Sequence, residues 1–430
     1  MADGVEARVL ATRIVHAVVF DGRSLKAVLN ESLPSLRDTR DRALVEAMVM
    51  AVIRNRVAYQ QTIDRMMPRP LGHRDADLRA LLYIGIAQLH EMGLAPHASL
   101  ATTVDASRAI GRAHQANMVN AVLRRVQREG ILSLPASAEW PPFLVDMLRR
   151  DWGDQAEMIF AESARQAPMF LRVNPRFGSR AEYLARLDVP TVAVAEFEHA
   201  IELGEAVSVH ELPGFREGHV SVQDLSAQAV AYLLDATGVV LDACAAPGGK
   251  TAALLETRNP QRLIALDNNA RRLKQIAETL TRLQLLSDNV SLQVADARTI
   301  RFDHDFDTII LDVPCSATGV VRRQPDVLLH RRREDIDALV EMQQRILRNG
   351  YAQLKPGGTL LYCTCSILRV ENANQIATFL GLHPDAECVP IEREGYGLAC
   401  TNDGRYVGHQ RLPGDLHADG FFYALIRRRA

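Results

Sequence analysis

The chain of 430 residues has very little lysine: Lys26, Lys250, Lys274 and Lys355 are the only four among its 50 basic residues. Aromatic residues make up 5%, so its cores must be aliphatic. No charge excess exists either, since 50 basic against 52 acidic residues leave a formal charge of −2. Bulk attraction to a polyanion is therefore excluded, and any basic surface must be local. No cysteine precedes Cys244; the six present are too sparse for a disulfide framework and include no C-x-x-C pair of the kind that holds zinc, so no metal is expected. No stretch approaches the ~18 uncharged apolar residues of a membrane span. The first residues, with Asp3, Glu6 and Arg8, lack the apolar run of a secretory signal. A reducing cytoplasm is the expected compartment. With 47% apolar and 24% charged residues the composition is that of an ordinary globular protein, and the length suggests about three domains.

Three regions are distinguishable. Residues 1–131 carry helical stripes, such as Val45, Met48, Val49 and Val52, or Met118, Val119, Val122, Leu123 and Val126, separated by Pro34, Pro68, Pro70, Gly72, Gly93 and Pro96. The region is basic and ends in Arg124, Arg125 and Arg128, which suit either a solvated helix C-terminus or phosphate contact. Residues 132–142, LSLPASAEWPP, read as a linker. Residues 143–235 read as a small α+β module, with a strand in MFLRVN before Pro175, a short helix over 181–187 and a strand in AVSVHEL, where Val207 and Val209 alternate. From 236 to 430 strands and helices alternate. Strands are expected at 239–243, 263–267, 290–295, 306–312 and 358–364, with helices at 250–257, 269–286 and 333–354. Such alternation builds a mostly parallel sheet covered on both faces, with ligands at the carboxyl ends of the strands.

The suggestive chemistry falls at those ends. The first strand runs into Cys244-Ala245-Ala246-Pro247-Gly248-Gly249-Lys250, small residues that let a backbone approach a ligand before a helix starts. A Walker A loop would need glycine where Cys244 stands, and the dinucleotide G-x-G-x-x-G is absent. An adenosine-bearing ligand without a phosphate chain remains. Asp267 ends the second strand, where a carboxylate can accept hydrogen bonds from ribose hydroxyls, and Asp296 follows the third, placed to meet an adenine. Each alone is as easily a turn residue; the pair beside a glycine-rich loop favours ligand binding. The fourth strand ends in Asp312-Val313-Pro314-Cys315 and the fifth in Thr364-Cys365-Ser366. A thiol at the active edge becomes nucleophilic if a cation such as Lys250 lowers its pKa. Residues alone do not say which cysteine attacks. Cys363 shares a strand face with Cys365 and reads as a packing residue. Arg322 and Arg323, in the loop after Cys315, suit phosphate or base contact on a mobile loop, or a solvated turn.

CAAPGGK, the Asp267 and Asp296 strand ends, DVPCSATG and TCS together resemble the RNA cytosine-5 methyltransferases of the Sun group, over residues 239 to about 370. The ending GDLHADGFFYALI resembles that family's last strands, and residues 1 to about 130, including NMVNAVLRR, resemble the NusB-like RNA-binding domain. The combination is similar to the members of the group that act on bacterial 16S ribosomal RNA. The resemblance implies a multidomain protein: an all-α NusB-like domain at 1–131, a linker at 132–142, the α+β module at 143–235 and a Rossmann-like α/β methyltransferase domain at 236–430. It implies S-adenosylmethionine as cofactor, held by residues 244–250, Asp267, Asp296 and Asp312. It further implies Cys365 as nucleophile toward cytosine C6, Cys315 as the residue assisting release, and Asp312 as the group that meets cytosine N3. The expected partner is 16S ribosomal RNA, presenting a single-stranded or flipped cytosine to a monomeric enzyme. The rival from another class is a non-catalytic RNA-binding assembly factor with a methyltransferase-like fold; intact Asp312, Cys315 and Cys365 argue against it.

Overall fold

The computed structural model describes residues 4–391, 397–401 and 404–430. Among these, no helix is long and apolar enough to cross a membrane. Two compact units emerge. The first runs from the N-terminal helices to Arg149 and takes in Asp154–Ala164 and Val321–Arg331; the second holds Arg150–Gly153, Arg165–Val320 and the chain from Arg332 on.

The first unit is all-α. Its seven N-terminal helices are Val5–Val19, Leu25–Ser32, Thr39–Arg54, Arg56–Met66, Ala76–His90, Pro96–Ala109 and Ala116–Glu129. Their apolar stripes meet in one aliphatic core containing Val15, Val18, Val45, Val49, Val52, Leu82, Val119, Leu123 and Val126. Gly85 lets two helices close up, because a Cβ there would stand 2.7 Å from the Leu123 side chain. The segment 321–331 belongs to this unit. The Asp326 carboxylate accepts the Leu25 N–H at 3.0 Å, and Arg54 donates to the Arg322 carbonyl at 2.9 Å.

The second unit holds two sheets. The smaller is antiparallel, in the order β2-β3-β1-β4, from β1 (Met169–Val173), β2 (Thr191–Ala193), β3 (Ala200–Leu203) and β4 (Val220–Val222). A capping box between Ser179 and Glu182 starts the helix Arg180–Leu184 beside it. The strand expected around Val207 and Val209 is absent: Ser208 heads a turn there, its carbonyl accepting the Glu211 N–H at 2.9 Å and its hydroxyl the His210 N–H at 3.3 Å. Serine's competition for local backbone groups outweighs the alternation of two valines.

The larger sheet comprises β5 (Val239–Asp242), β6 (Arg262–Asp267), β7 (Val290–Val294), β8 (Phe306–Asp312), β9 (Leu354–Thr364), β10 (Ala386–Val389), β11 (Gly397–Cys400), β12 (Tyr406–Arg411) and β13 (Phe421–Arg428). Its order is β11-β12-β13-β9-β8-β5-β6-β7, with β10 also on β13. Strands β7, β6, β5, β8 and β9 are parallel, and β13 joins β9 antiparallel. Alternation divides the side chains. Val240, Leu263, Ala265, Ile310 and Leu361 pack with the helices Leu225–Tyr232, Gly249–Thr257 and Ala270–Arg282. Leu241, Ile264, Ile309, Leu311 and Leu360 pack on the other face with Arg333–Tyr351 and Ala373–Leu382. The strand order reverses between β5 and β8, which opens a crevice at their carboxyl ends.

Candidate active site

That crevice is a cavity of about 240 Å³ lined by, among others, Cys244, Asp267, Asp296, Asp312, Cys315 and Cys365. Six residues from five strand ends or the loops after them thus converge on one space. The loop after β5 is folded by its own backbone: the Ala245 N–H reaches the Leu266 carbonyl at 2.8 Å and the Gly248 N–H the Ala245 carbonyl at 2.7 Å. Gly248 has φ +98° and lies against the helix Ala270–Arg282, where a Cβ would stand 3.2 Å from the Ile276 backbone. Its conformation and its closeness both demand glycine. Helix Gly249–Thr257 begins directly after it.

Two carboxylates serve loop and cavity together. Asp267, buried at the end of β6, accepts the Asn269 N–H at 3.0 Å and lies 3.3 Å from the Arg272 guanidinium. Asp296 accepts the Arg298 N–H at 2.9 Å and pairs with the Arg298 guanidinium at 2.6 Å, which holds its carboxyl below the usual range. The turn role and the cavity role therefore coexist at both positions. Asp242, which pattern reading treats only as a strand residue, is fully buried under the loop and accepts the Thr251 hydroxyl at 2.6 Å. Burial, opposed by that hydrogen bond, pushes its pKa up to about 6.

At the end of β8, Asp312 accepts from Lys250 Nζ at 2.6 Å and from the Cys363 thiol at 3.7 Å. Burial works to lower the lysine's pKa, but Asp312 together with the nearby thiols outweighs it, and the net shift is upward. The ammonium also lies 5.1 Å from the centre of the Phe421 ring. Cys363 is fully buried in the apolar cluster and faces Asp312 rather than the cavity.

Cys315 and Cys365 bring their sulfurs to 3.4 Å. The hydrogen bond to Cys365, then burial, then the charges of Cys365 and Glu371 hold the Cys315 thiol well above its ordinary pKa, so it keeps its proton. Cys244 is likewise held up, by burial and by Asp312, Asp242 and Asp267, and remains a neutral thiol. Backbones cross closely beneath the pair. The Gly319 N–H reaches the Cys365 carbonyl, and the Gly420 N–H the Gly319 carbonyl, each at 2.9 Å.

The loop downstream of Cys315 departs from the expectation of a mobile basic loop. Arg322 is 3% exposed, Arg323 is half-buried, and the whole segment packs within the helical unit. Apolar neighbours Val321 and Leu328, both buried, decide its course. In the same unit Arg125 and Arg128 share the single carboxylate of Glu129, at 3.0 and 3.1 Å, while Arg124 bonds Asn120 at 3.2 Å. That helix end keeps a positive excess.

Parallel strands whose ends gather carboxylates and a glycine-rich turn around one cavity are the arrangement of the S-adenosylmethionine-dependent methyltransferase class. The cavity fits that cofactor: its walls are small at Ala243, Ala246 and Ala297, and Asp267 and Asp296 stand at strand ends where ribose hydroxyls and an adenine can meet them. Residues 231–427 match the family described as 16S rRNA methyltransferase RsmB/F, residues 5–128 match the NusB family, and residues 140–210 match the ferredoxin-like domain of RsmF/B-like methyltransferases. The ribosomal RNA small subunit methyltransferase B of Xanthomonas campestris pv. campestris is 52% identical, over 99% of this chain and 98% of the relative. Its namesake in Xylella fastidiosa strain Temecula1 is 49% identical over 99% of both chains. The crystal structure of a methyltransferase homolog protein from Pyrococcus horikoshii is 28% identical, with a TM-score of 0.57 over 67% of this chain and 99% of that one. The chain belongs to the ribosomal RNA small subunit methyltransferase B family. It is a methyltransferase of ribosomal RNA, and its cofactor is S-adenosylmethionine.

Proposed function

We propose that the enzyme methylates C5 of a cytosine in 16S ribosomal RNA through a transient covalent bond between Cys365 and C6, acting as a cytoplasmic monomer. The observation that carries this reading is the pair of thiols 3.4 Å apart in one cavity with Asp312. S-adenosylmethionine, held by residues 244–250, Asp267, Asp296 and Asp312, supplies an electrophilic methyl group on a sulfonium. Cytosine C5 is too weak a nucleophile to take it unaided. Attack of the Cys365 thiolate on C6 forms an S–C bond and pushes the C5–C6 π electrons onto the ring, making C5 electron-rich. As charge builds, N3 becomes basic and takes a proton relayed through Asp312 from the Lys250 ammonium, 2.6 Å away, which returns by the same route when the ring is restored. After C5 is alkylated, a water molecule acting as general base takes the C5 proton, the C5–C6 double bond re-forms and the Cys365 thiolate departs. Cys315, a thiol that keeps its proton beside the leaving sulfur, suits this release rather than the attack. The target base must be out of its stack to reach the sulfurs. The helical unit presents Arg124 and Arg128 as candidate phosphate contacts.

Adduct trapping tests the assignment. With S-adenosylmethionine and 16S ribosomal RNA, Cys315→Ala accumulates an RNA–protein adduct on a denaturing gel and Cys365→Ala forms none. The opposite pattern transfers the attack to Cys315. Absence of 5-methylcytosine after incubation with the intact protein favours the assembly-factor reading.

A further inference from the structure

One buried carboxylate near the two sulfurs does more than bias the Cys315 proton. Glu371 is fully buried, and its two oxygens receive four hydrogen bonds. One oxygen accepts the Ser316 N–H at 2.8 Å and the Gln343 amide at 2.9 Å. The other accepts the hydroxyls of Ser316 and Ser366, both at 2.5 Å. Four donors fill the acceptor capacity of a carboxylate. They are also unusually placed: Ser316 follows Cys315 and Ser366 follows Cys365 in the chain. Gln343 extends the hold, donating also to the Pro314 carbonyl at 2.9 Å, on the other side of Cys315. Around Ser366, Asn372 donates to its carbonyl at 2.8 Å, and Thr318 accepts the Ile367 N–H at 3.1 Å. A desolvated carboxylate is costly unless it is this fully paired. Leucine or methionine in its place would fill the volume without tying the loops. The retained charge therefore calls for a role beyond packing.

We propose that Glu371 is a positioning residue: its carboxylate clamps the loops after β8 and β9 together and so sets the distance between the Cys315 and Cys365 sulfurs. Its consequence for catalysis rests on the cytosine-C5 reading, whereas the geometry it enforces does not. Near Cys315 its negative charge adds to the influences that keep that thiol protonated. Hydroxyl contacts from Ser316 and Thr318 to Ser366, at 3.1 and 3.2 Å, also bridge the loops, and the carboxylate gathers both serine hydroxyls on one oxygen.

The test is Glu371→Gln, which keeps shape but replaces one acceptor oxygen with a donor facing two hydroxyls. Ser366→Ala, which removes one donor and leaves the carboxylate, accompanies it. For Glu371→Gln kcat falls about 10²-fold while KM for S-adenosylmethionine stays within about twofold, as expected when reacting atoms are displaced by a fraction of an ångström to one. Ser366→Ala falls about tenfold. A second readout needs no RNA. The thiol oxidant diamide takes two electrons and two protons from Cys315 and Cys365, becoming the hydrazine and leaving a disulfide that mass spectrometry detects. Wild type cross-links these two positions, and Glu371→Gln does so about tenfold more slowly. Equal kcat and equal cross-linking rates in wild type and both variants overturn the proposal, as does a wild type that never joins the two positions. If wild type makes no 5-methylcytosine, the functional reading falls, and the cross-linking comparison alone decides the clamp.

Discussion

At the scale of single residues, the site is set by a few positions where no alternative side chain fits. Gly319 is one. A Cβ there would stand 2.2 Å from the Gly420 carbonyl oxygen and 2.9 Å from that of Cys365. Gly319→Ala is therefore expected to move the loops carrying both thiols, lowering kcat about 10²-fold in a methyl-transfer assay and costing about 1–3 kcal/mol of stability. Asp242 is another. Its folded pKa of about 6 lies above the unfolded value, so the native state binds more protons, and the stability from this group is gained as pH falls through 6. Between pH 7 and 5 wild type should gain about 1 kcal/mol that Asp242→Asn does not, read as the difference between two denaturant-unfolding series. Local sequence shows only part of this. Cys315, Cys365, Lys250 and Asp312 stand out because the strand–helix alternation places them at the carboxyl ends of parallel strands or just after them. Glu371 does not, because a glutamate in VEN is ordinary until the fold buries it. Arg322 misleads for the same reason: charge in a loop suggests exposure, and only non-local packing reverses it.

At the scale of elements, β1 of the small sheet is tied to the helix that follows the Cys244–Gly249 loop. Arg172 on β1 forms a bidentate ion pair with Glu256, at 2.6 and 2.9 Å, with side-chain exposures of 2% and 0%. It also donates to the Gly249 carbonyl at 3.2 Å. Removing one partner leaves a buried charge alone, so Arg172→Ala should cost about 3–5 kcal/mol, seen as a large drop in Tm, and the double variant Arg172→Met, Glu256→Leu should lose much less. The parallel strands were legible because each is a short, mostly apolar run, and β5, β6 and β8 are each followed by a helical period. The turn at Ser208 was not, since alternation of two valines carries less weight than a side chain competing for the backbone. The antiparallel insertion of β13 beside β9 depends on long-range pairing, which no local pattern states.

At the scale of the whole molecule, RNA recognition must use local patches, because the net charge is −2. Arg124→Ala with Arg128→Ala should weaken binding of 16S ribosomal RNA and flatten the slope of log affinity against log salt by about 1–1.5, measured by filter binding. Unchanged slope would remove that helix end from the RNA surface. The segment Val321–Arg331 has a consequence for biosynthesis. It caps the helix starting at Leu25 and places Leu329 against the helical core, yet it leaves the ribosome long after the last N-terminal helix. The nascent helical unit must therefore wait with an open apolar seam until late translation, and a truncated fragment carrying only its own helices keeps that seam for good, inviting chaperones or its own neighbours.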